Sequence, residues 1–374
     1  MSAASDAIVI GAGIVGAACA AALAREGLTV TVVDPGPVGG GATAAGMGHI
    51  VVIDEPSAEF ALTLYSRKLW DALAPELPVR AERAVTGTLW VAEDQEELAA
   101  AAAKCARLQG AGVEAELLDP QQTAEAEPEL RAGLAGSLRV PQDGVVYPPP
   151  VAAWLLERAG VRGERLRLGR RAVRVESGTV TLDDGARLAA PVIVNAAGLA
   201  AREVTPGLPL RARKGHLVIT DRYPGFCRHQ IVELGYIKNA HGGAKESVSF
   251  NVQPRPSGQL LVGSSRQFDE QDLEVEARML ARVVARAAEF MPRLVEVKAI
   301  RAWTGHRAAT PDGLPVIGEH LAMKGVWIAA GHEGLGITTS LGTAAVLTDL
   351  VMGRAPAIDA APYAPGRFAE LRHG

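Results

Sequence analysis

Cysteine and aromatic residues are scarce in this chain. Three cysteines, Cys19, Cys105 and Cys227, stand far apart among 374 residues with no CxxC pair. That spacing suits a reducing compartment and argues against a metal site. Phe, Trp and Tyr make up only 4% of the sequence, so a small-molecule pocket is expected to be compact. No Lys/Arg-rich run occurs and the net charge is −4, which makes nucleic acid a poor partner. Only residues 7–24 approach a membrane span in apolar length. Three glycines interrupt them and no basic segment precedes them, so neither a signal peptide nor a transmembrane segment is expected. The expectation is a cytoplasmic protein. Hydrophobic residues are plentiful at 48%, against 21% charged, enough for a large core and about two domains.

The most informative stretch is residues 7–34, AIVIGAGIVGAACAAALAREGLTVTVVD. An apolar run meets Gly11-x-Gly13-x-x-Gly16, an Ala-rich helical segment follows, and a second β-rich run ends at Asp34. Gly11 permits the tight turn, Gly13 lets backbone approach a pyrophosphate, and Gly16 lets the helix pack on the strand. The helix N-terminus offers free N–H groups and a positive dipole end to phosphates. Asp34 is placed to accept hydrogen bonds from a ribose diol. The unit reads as dinucleotide-binding, and by itself leaves NAD and FAD both open.

Periodicity organises the rest. Helices are expected over Glu59–Leu73, Gln95–Leu108, Leu117–Glu127, from Pro148 to about Ala159, and over Glu270–Phe290 with Leu273, Leu280, Val283, Val284, Ala287 and Phe290 inward. Strands are expected at Thr86–Ala92, Ala172–Glu176, Thr179–Leu182 and Arg187–Ala196, with Asp184-Gly185 as a hairpin turn. A β-rich region follows with Gly215–Thr220, Tyr236–Lys238, Val248–Gln253 and Gln259–Gly263. Gly325–Ala330 reads as a buried strand, followed by a glycine-rich turn and a helix over Ile337–Val351. Nucleotide-type elements at both ends and in the middle imply two interleaved domains. The expected class is α/β: a Rossmann-like domain interleaved with a domain built on a mostly antiparallel sheet.

Five segments in order then resemble the D-amino-acid oxidase/glycine oxidase family of FAD-dependent oxidoreductases. They are GAGIVG with Asp34, ATAAGMG at 42–48, VIVNAAG at 192–198, WTGHRAATPDGLPVIG at 303–318 and GHEGLGIT at 331–338. The resemblance implies non-covalent FAD, held by residues 1–80, 145–212 and 309–374, with 81–144 and 213–308 forming the substrate domain. It places Gly11, Gly13, Ile14, Val15, Gly16, Asp34 and Pro35 at the nucleotide, and Ala42, Thr43, Ala45, Gly46 and Met47 beside the flavin. Val173 and the Ala196-Ala197-Gly198 turn are further expected cofactor contacts. So is the loop of Gly331, His332, Gly334, Leu335, Gly336, Ile337 and Thr338, whose helix dipole would stabilise a reduced flavin.

By the same resemblance Arg307 binds the substrate carboxylate, since a guanidinium holds a carboxylate with two prongs. Ala308 stands where the family usually has proline. His49, Tyr236 and Asn251 are the remaining candidates for the catalytic pocket, with Lys238 on the same expected strand as Tyr236. An aromatic hydroxyl expected near Asn251 is absent, so glycine itself is not the expected substrate. MGHIVV at 47–52 and QPRPSGQLLVGSSRQFD at 253–269 are similar to a bacterial subgroup that includes D-hydroxyproline dehydrogenases. The activity implied is oxidation of an amino acid, D- or cyclic secondary, to its imine by hydride transfer to flavin N5. Oxygen, a quinone or a partner flavoprotein would take the electrons, in a homo- or hetero-oligomer. Two alternatives remain at this stage: an NAD-dependent hydroxy-acid dehydrogenase and a non-catalytic FAD-binding subunit.

Overall fold

The computed structural model describes residues 5–53, 55–235 and 246–372, with side chains to 368. Tyr236 and Lys238 lie outside the described residues.

The first sheet has six strands in the order Val316–Glu319, Val326–Ala330, Val192–Asn195, Ala7–Ile10, Val30–Asp34 and Leu166–Leu168. All its pairs are parallel except that of the Val316–Glu319 edge. Parallel strands of this kind are buried on both faces, so they read as continuous apolar runs. Strand alternation then sorts the residues. Ala7 and Val9 join a core under the helices, while Ile8 and Ile10 join a second core on the opposite face. That second face is covered by a three-stranded antiparallel sheet of Ala172–Glu176, Thr179–Leu182 and Arg187–Ala189.

The helical layer holds Ile14–Arg25 between the sheet, the Pro148–Arg158 helix and the C-terminal Gly336–Val351 helix. Enclosure explains why Ile14–Arg25 is apolar nearly all round, with nine buried residues including Cys19. Trp70, on the Ser57–Leu73 helix, is fully buried and donates from Nε1 to the Thr338 carbonyl at 2.9 Å.

The second sheet has eight strands, in the order Ala299–Ala309, Arg211–Arg222, Gln259–Phe268, Glu246–Pro254, Gln230–Glu233, Thr88–Ala92, Gly136–Val140 and Glu116–Leu118. Every pair is antiparallel except Gln230–Glu233 with Thr88–Ala92. The Ala277–Phe290 helix packs on it through Met279, Val283, Ala287 and Phe290. Phe290 stacks on Phe250 at 4.4 Å between ring centroids. The two sheets and their helices make the mixed α/β fold that the sequence leads one to expect.

Three expected elements differ. Arg187–Ala196 is not one strand: Arg187–Ala189 and Val192–Asn195 lie in different sheets. Pro191, between them, has no N–H for a ladder. Leu117–Glu127 divides into the Glu116–Leu118 strand and a Pro120–Ala126 helix capped by Asp119. The helix expected from Glu270 begins only at Ala277. Residues 270–276 are drawn out as a strap because Asp272 and Glu276 both take hydrogen bonds from the Lys214 ammonium. Lys214 is completely buried, so its charge needs those carboxylates. Leu273 and Val284, placed inward by the longer helix, are exposed. Among the described residues, no helix is long and apolar enough to cross a membrane.

Candidate active site

One continuous cavity of about 470 Å³ runs from the glycine turn of the first sheet to the end of the second. At the turn, Gly11 has φ +110°, and a β-carbon there would stand 2.4 Å from the Ala196 carbonyl oxygen. A β-carbon at Gly16 would stand 2.0 Å from the Gly11 oxygen, so only glycine lets this helix start so close to the strand. Gly13 caps the helix without a side chain. The next N–H, of Ile14, donates to Thr43 Oγ1 at 3.0 Å, tying the turn to the 41–45 segment. Asp34 accepts from Ala12 N through Oδ2 and from Gly36 N through Oδ1, both at 2.7 Å. Its carboxylate therefore shapes the turn as well as facing the cavity.

In the middle of the cavity the short Gly41–Ala45 helix and the residues after it run against the second sheet. A β-carbon on Gly305 would come within 2.4 Å of the Ala45 methyl, and Trp303 Nε1 donates to the Ala45 carbonyl at 3.3 Å. Gln253 Nε2 donates to the Met47 carbonyl at 2.8 Å. These contacts pin the loop where a flat ring system could lie along it. The Thr338 hydroxyl donates to the His49 carbonyl at 2.8 Å, so the C-terminal helix is fastened to the same loop.

At the far end Arg307 projects from the Ala299–Ala309 strand over Gly215 of the neighbouring strand. Its Nη1 donates to the Ser265 carbonyl at 3.1 Å, which sets the plane of the guanidinium. Ala308, where the resemblance leads one to expect proline, is held in the ladder opposite Ala212, and its carbonyl accepts from Glu333 N at 2.9 Å. Arg213 pairs with Glu333, and Arg266 Nε lies 3.8 Å from the same carboxylate. Burial raises the Glu333 pKa, but Arg266, Arg213 and Arg307 more than offset this and hold it below the usual carboxylate range.

Of the three histidines that line the cavity, His49, His306 and His332, burial pushes His49 and His332 down to about 4, so those two are neutral near pH 7. His332 Nε2 is shared with the Thr343 hydroxyl at 3.0 Å. His49 Nε2 and Asn251 Oδ1 are buried with no hydrogen-bond partner in the protein, and both residues line the cavity. Such orphaned atoms are costly unless a ligand meets them.

Most residues singled out in the sequence meet here. Gly11, Gly13, Ile14, Val15, Asp34, Pro35, Ala42, Thr43, Ala45, Gly46 and Met47 line the cavity. So do His49, Ala196, Ala197, Gly198, Asn251, Arg307, Gly331, His332, Gly334, Gly336 and Ile337. Gly16, Leu335 and Thr338 stand behind the lining. Val173 is placed apart: its side chain is 49% exposed, while Ala172 and Val175 of the same strand turn into the core. Sequence reasoning missed Gly215, Arg213, Arg266 and Glu333. The acid in the glycine-rich loop at 331–336 was a visible signal for Glu333. The others depend on strand pairing.

The lining fits a dinucleotide carrying a flat ring. A glycine cradle and a carboxylate stand at one end, and unpartnered polar atoms and a guanidinium at the other. A family model described as FAD dependent oxidoreductase matches residues 6–350. The glycine oxidase of Geobacillus kaustophilus is 30% identical, with 96% of each chain covered. The D-amino acid dehydrogenase of Cereibacter sphaeroides is also 30% identical, covering 97% of this chain and 95% of its own. The crystal structure of the Geobacillus kaustophilus glycine oxidase has a TM-score of 0.86 at 27% identity, covering 96% of this chain and 98% of that one. The family match decides between the two dinucleotides that the glycine motif leaves open. The chain belongs to the family of FAD-dependent oxidoreductases, and FAD is its cofactor.

Proposed function

We propose that this enzyme oxidises a small amino acid, D-configured or cyclic and secondary, to its imine. The observation that carries the reading is Arg307 in one cavity with the glycine cradle of the first sheet. FAD, when bound, supplies the two-electron acceptor for a hydride leaving the substrate α-carbon. The protein's own part is placement. Arg307 takes the carboxylate with its orientation set from Ser265. Asn251 Oδ1 is an acceptor without a donor, suited to an amine N–H. His49 and His332, held neutral by burial, add no positive charge to the cavity that receives the amine. Gly215, Gly305 and Gly334 keep the walls close, so the donor must be compact.

The two sheets support a discontinuous division, with 1–80, 145–212 and 309–374 around the cofactor and 81–144 and 213–308 around the substrate. The relatives include an oxidase and a dehydrogenase by name. The acceptor, whether oxygen, a quinone or a partner flavoprotein, is therefore read from reoxidation rather than assumed.

The test is an anaerobic screen of the yellow holoenzyme against D- and L-amino acids and prolines. Bleaching of the visible flavin band by a D- or cyclic secondary amino acid supports the proposal. A holoenzyme that no amino acid bleaches would instead be a non-catalytic flavin subunit.

A further inference from the structure

Glu333 occupies an unusual position. Its φ is +47°, a left-handed conformation that glycine adopts at far lower cost than glutamate. Its side chain is one-fifth exposed and lines the cavity, while Arg213 and Arg266 stand behind it and do not. Arg213 is further fixed by lying 4.1 Å over the Phe268 ring. The carboxylate thus separates the cavity from two guanidiniums, on the same side of the sheet as Arg307. Arg213 lies directly across from Arg307 in the strand ladder. The charge of Glu333 also reaches Glu59, whose pKa burial and then that charge raise to about 8, so Glu59 is mostly neutral near pH 7.

Without Glu333, three cations would converge on this end of the cavity and any second acidic group on a ligand would be drawn to them. With Glu333, the surface presented to the ligand beside Arg307 is anionic. We propose that Glu333 is a specificity-determining residue: it takes up the charge of Arg213 and Arg266, leaves Arg307 as the reader of one carboxylate, and so excludes dicarboxylic amino acids. Like charges brought together in a desolvated site are strongly unfavourable, which gives discrimination without any added contact to the preferred substrate. The inference rests on the carboxylate-binding reading of Arg307.

Butyrate and succinate test it, being equal in carbon number and different by one carboxylate. Each is titrated into the holoenzyme and binding is read from perturbation of the flavin spectrum. Wild type is expected to bind butyrate about tenfold or more tighter than succinate. Glu333→Gln should reverse or abolish that preference, because Arg213 and Arg266 then act on the ligand. Adding Arg213→Gln and Arg266→Gln to Glu333→Gln should remove the gain for succinate. Should Glu333→Gln not retain FAD, Arg213→Gln/Arg266→Gln with Glu333 intact is the second variant, and it should reject succinate more strongly than wild type.

Equal affinities in wild type overturn the inference while leaving Arg307's role standing. So does an unchanged preference in Glu333→Gln, or a succinate gain that survives loss of both arginines, since that gain would come from space rather than charge. If the second variant is the one measured, unchanged or improved succinate binding overturns it. A flavin-loaded wild type that responds to neither ligand removes the carboxylate-binding reading itself, and this inference with it. A purely structural Glu333 would weaken both ligands alike and leave their ratio unmoved, which also overturns it.

Discussion

Gly215 lies directly beneath the Arg307 guanidinium: a β-carbon at Gly215 would stand 2.6 Å from Nη1 and 2.8 Å from Nη2. The missing side chain is what lets the arginine lie flat over the neighbouring strand and still reach the Ser265 carbonyl. Gly215→Ala should therefore push Arg307 off its position without touching the cofactor end. A misplacement of about 1 Å costs on the order of 100-fold in rate. We expect a kcat/KM loss of that order with normal flavin content. Steady-state kinetics on any amino acid that bleaches the enzyme checks this, and unchanged kinetics would show that Arg307 is free to move aside.

Arg307→Lys keeps the charge and loses the planar fork. KM is expected to rise steeply and kcat/KM to fall on the order of 100-fold or more, since removing a paired charge contact costs several kcal/mol. The flavin spectrum should barely change. Normal turnover by this variant, or equal turnover of amines lacking a carboxylate, would falsify the amino-acid reading.

Asp34 holds the glycine turn through Ala12 N and Gly36 N, and its carboxylate faces the cavity. Asp34→Ala should weaken FAD binding by about 1–3 kcal/mol, the scale of hydrogen bonds to a charged group. Flavin retained after dialysis is the measurement, with full retention the adverse result. Cys19, Cys105 and Cys227 are all free and buried, and none lines the cavity. Acid denaturation of wild type is accordingly expected to release the flavin completely, whereas colour in the precipitate would mean a covalent link.

Glu59 gives a pH dependence of stability. Burial, then the charge of Glu333, raises its pKa to about 8 in the folded protein. An unfolded glutamate has an ordinary carboxyl pKa of about 4.3. Between those values the folded state holds a proton that the unfolded state has lost. The contribution is full below the unfolded pKa and is lost as pH rises toward 8. Glu59→Gln should remove this loss, on the order of 3 kcal/mol, so the difference in denaturant stability between variant and wild type should grow from pH 5 to pH 8. Parallel stability curves for the two proteins would mean that Glu59 titrates normally.

The nucleotide half of the site was legible in the sequence because its determinants are local. Gly11, Gly13, Gly16 and Asp34 sit within one strand–helix–strand unit, where glycine spacing and apolar runs already specify the turn. The glycine-rich start of the last helix was legible for the same reason, and so were the Ser57–Leu73 and Pro148–Arg158 helices, apart from their ends. The strap at 270–276 was not. Its residues have a good helical pattern, and a buried lysine on a strand 58 residues away from Asp272 overrides it. The split at Pro191 was foreseeable from the missing N–H, although the assignment of its two halves to different sheets was not.

By itself the sequence determined the dinucleotide turn, the class of fold and the presence of a family-like arginine at 307, all properties of residues near one another along the chain. Only the tertiary structure decided what surrounds that arginine. Gly215, Ser265 and Glu333 come from two strands and a loop separated by scores of residues, and strand register brings Arg213 opposite Arg307. Register follows from which faces are buried once the whole sheet has assembled, and the side chain of Glu333 acquires its role only when the loop bearing it closes on that sheet.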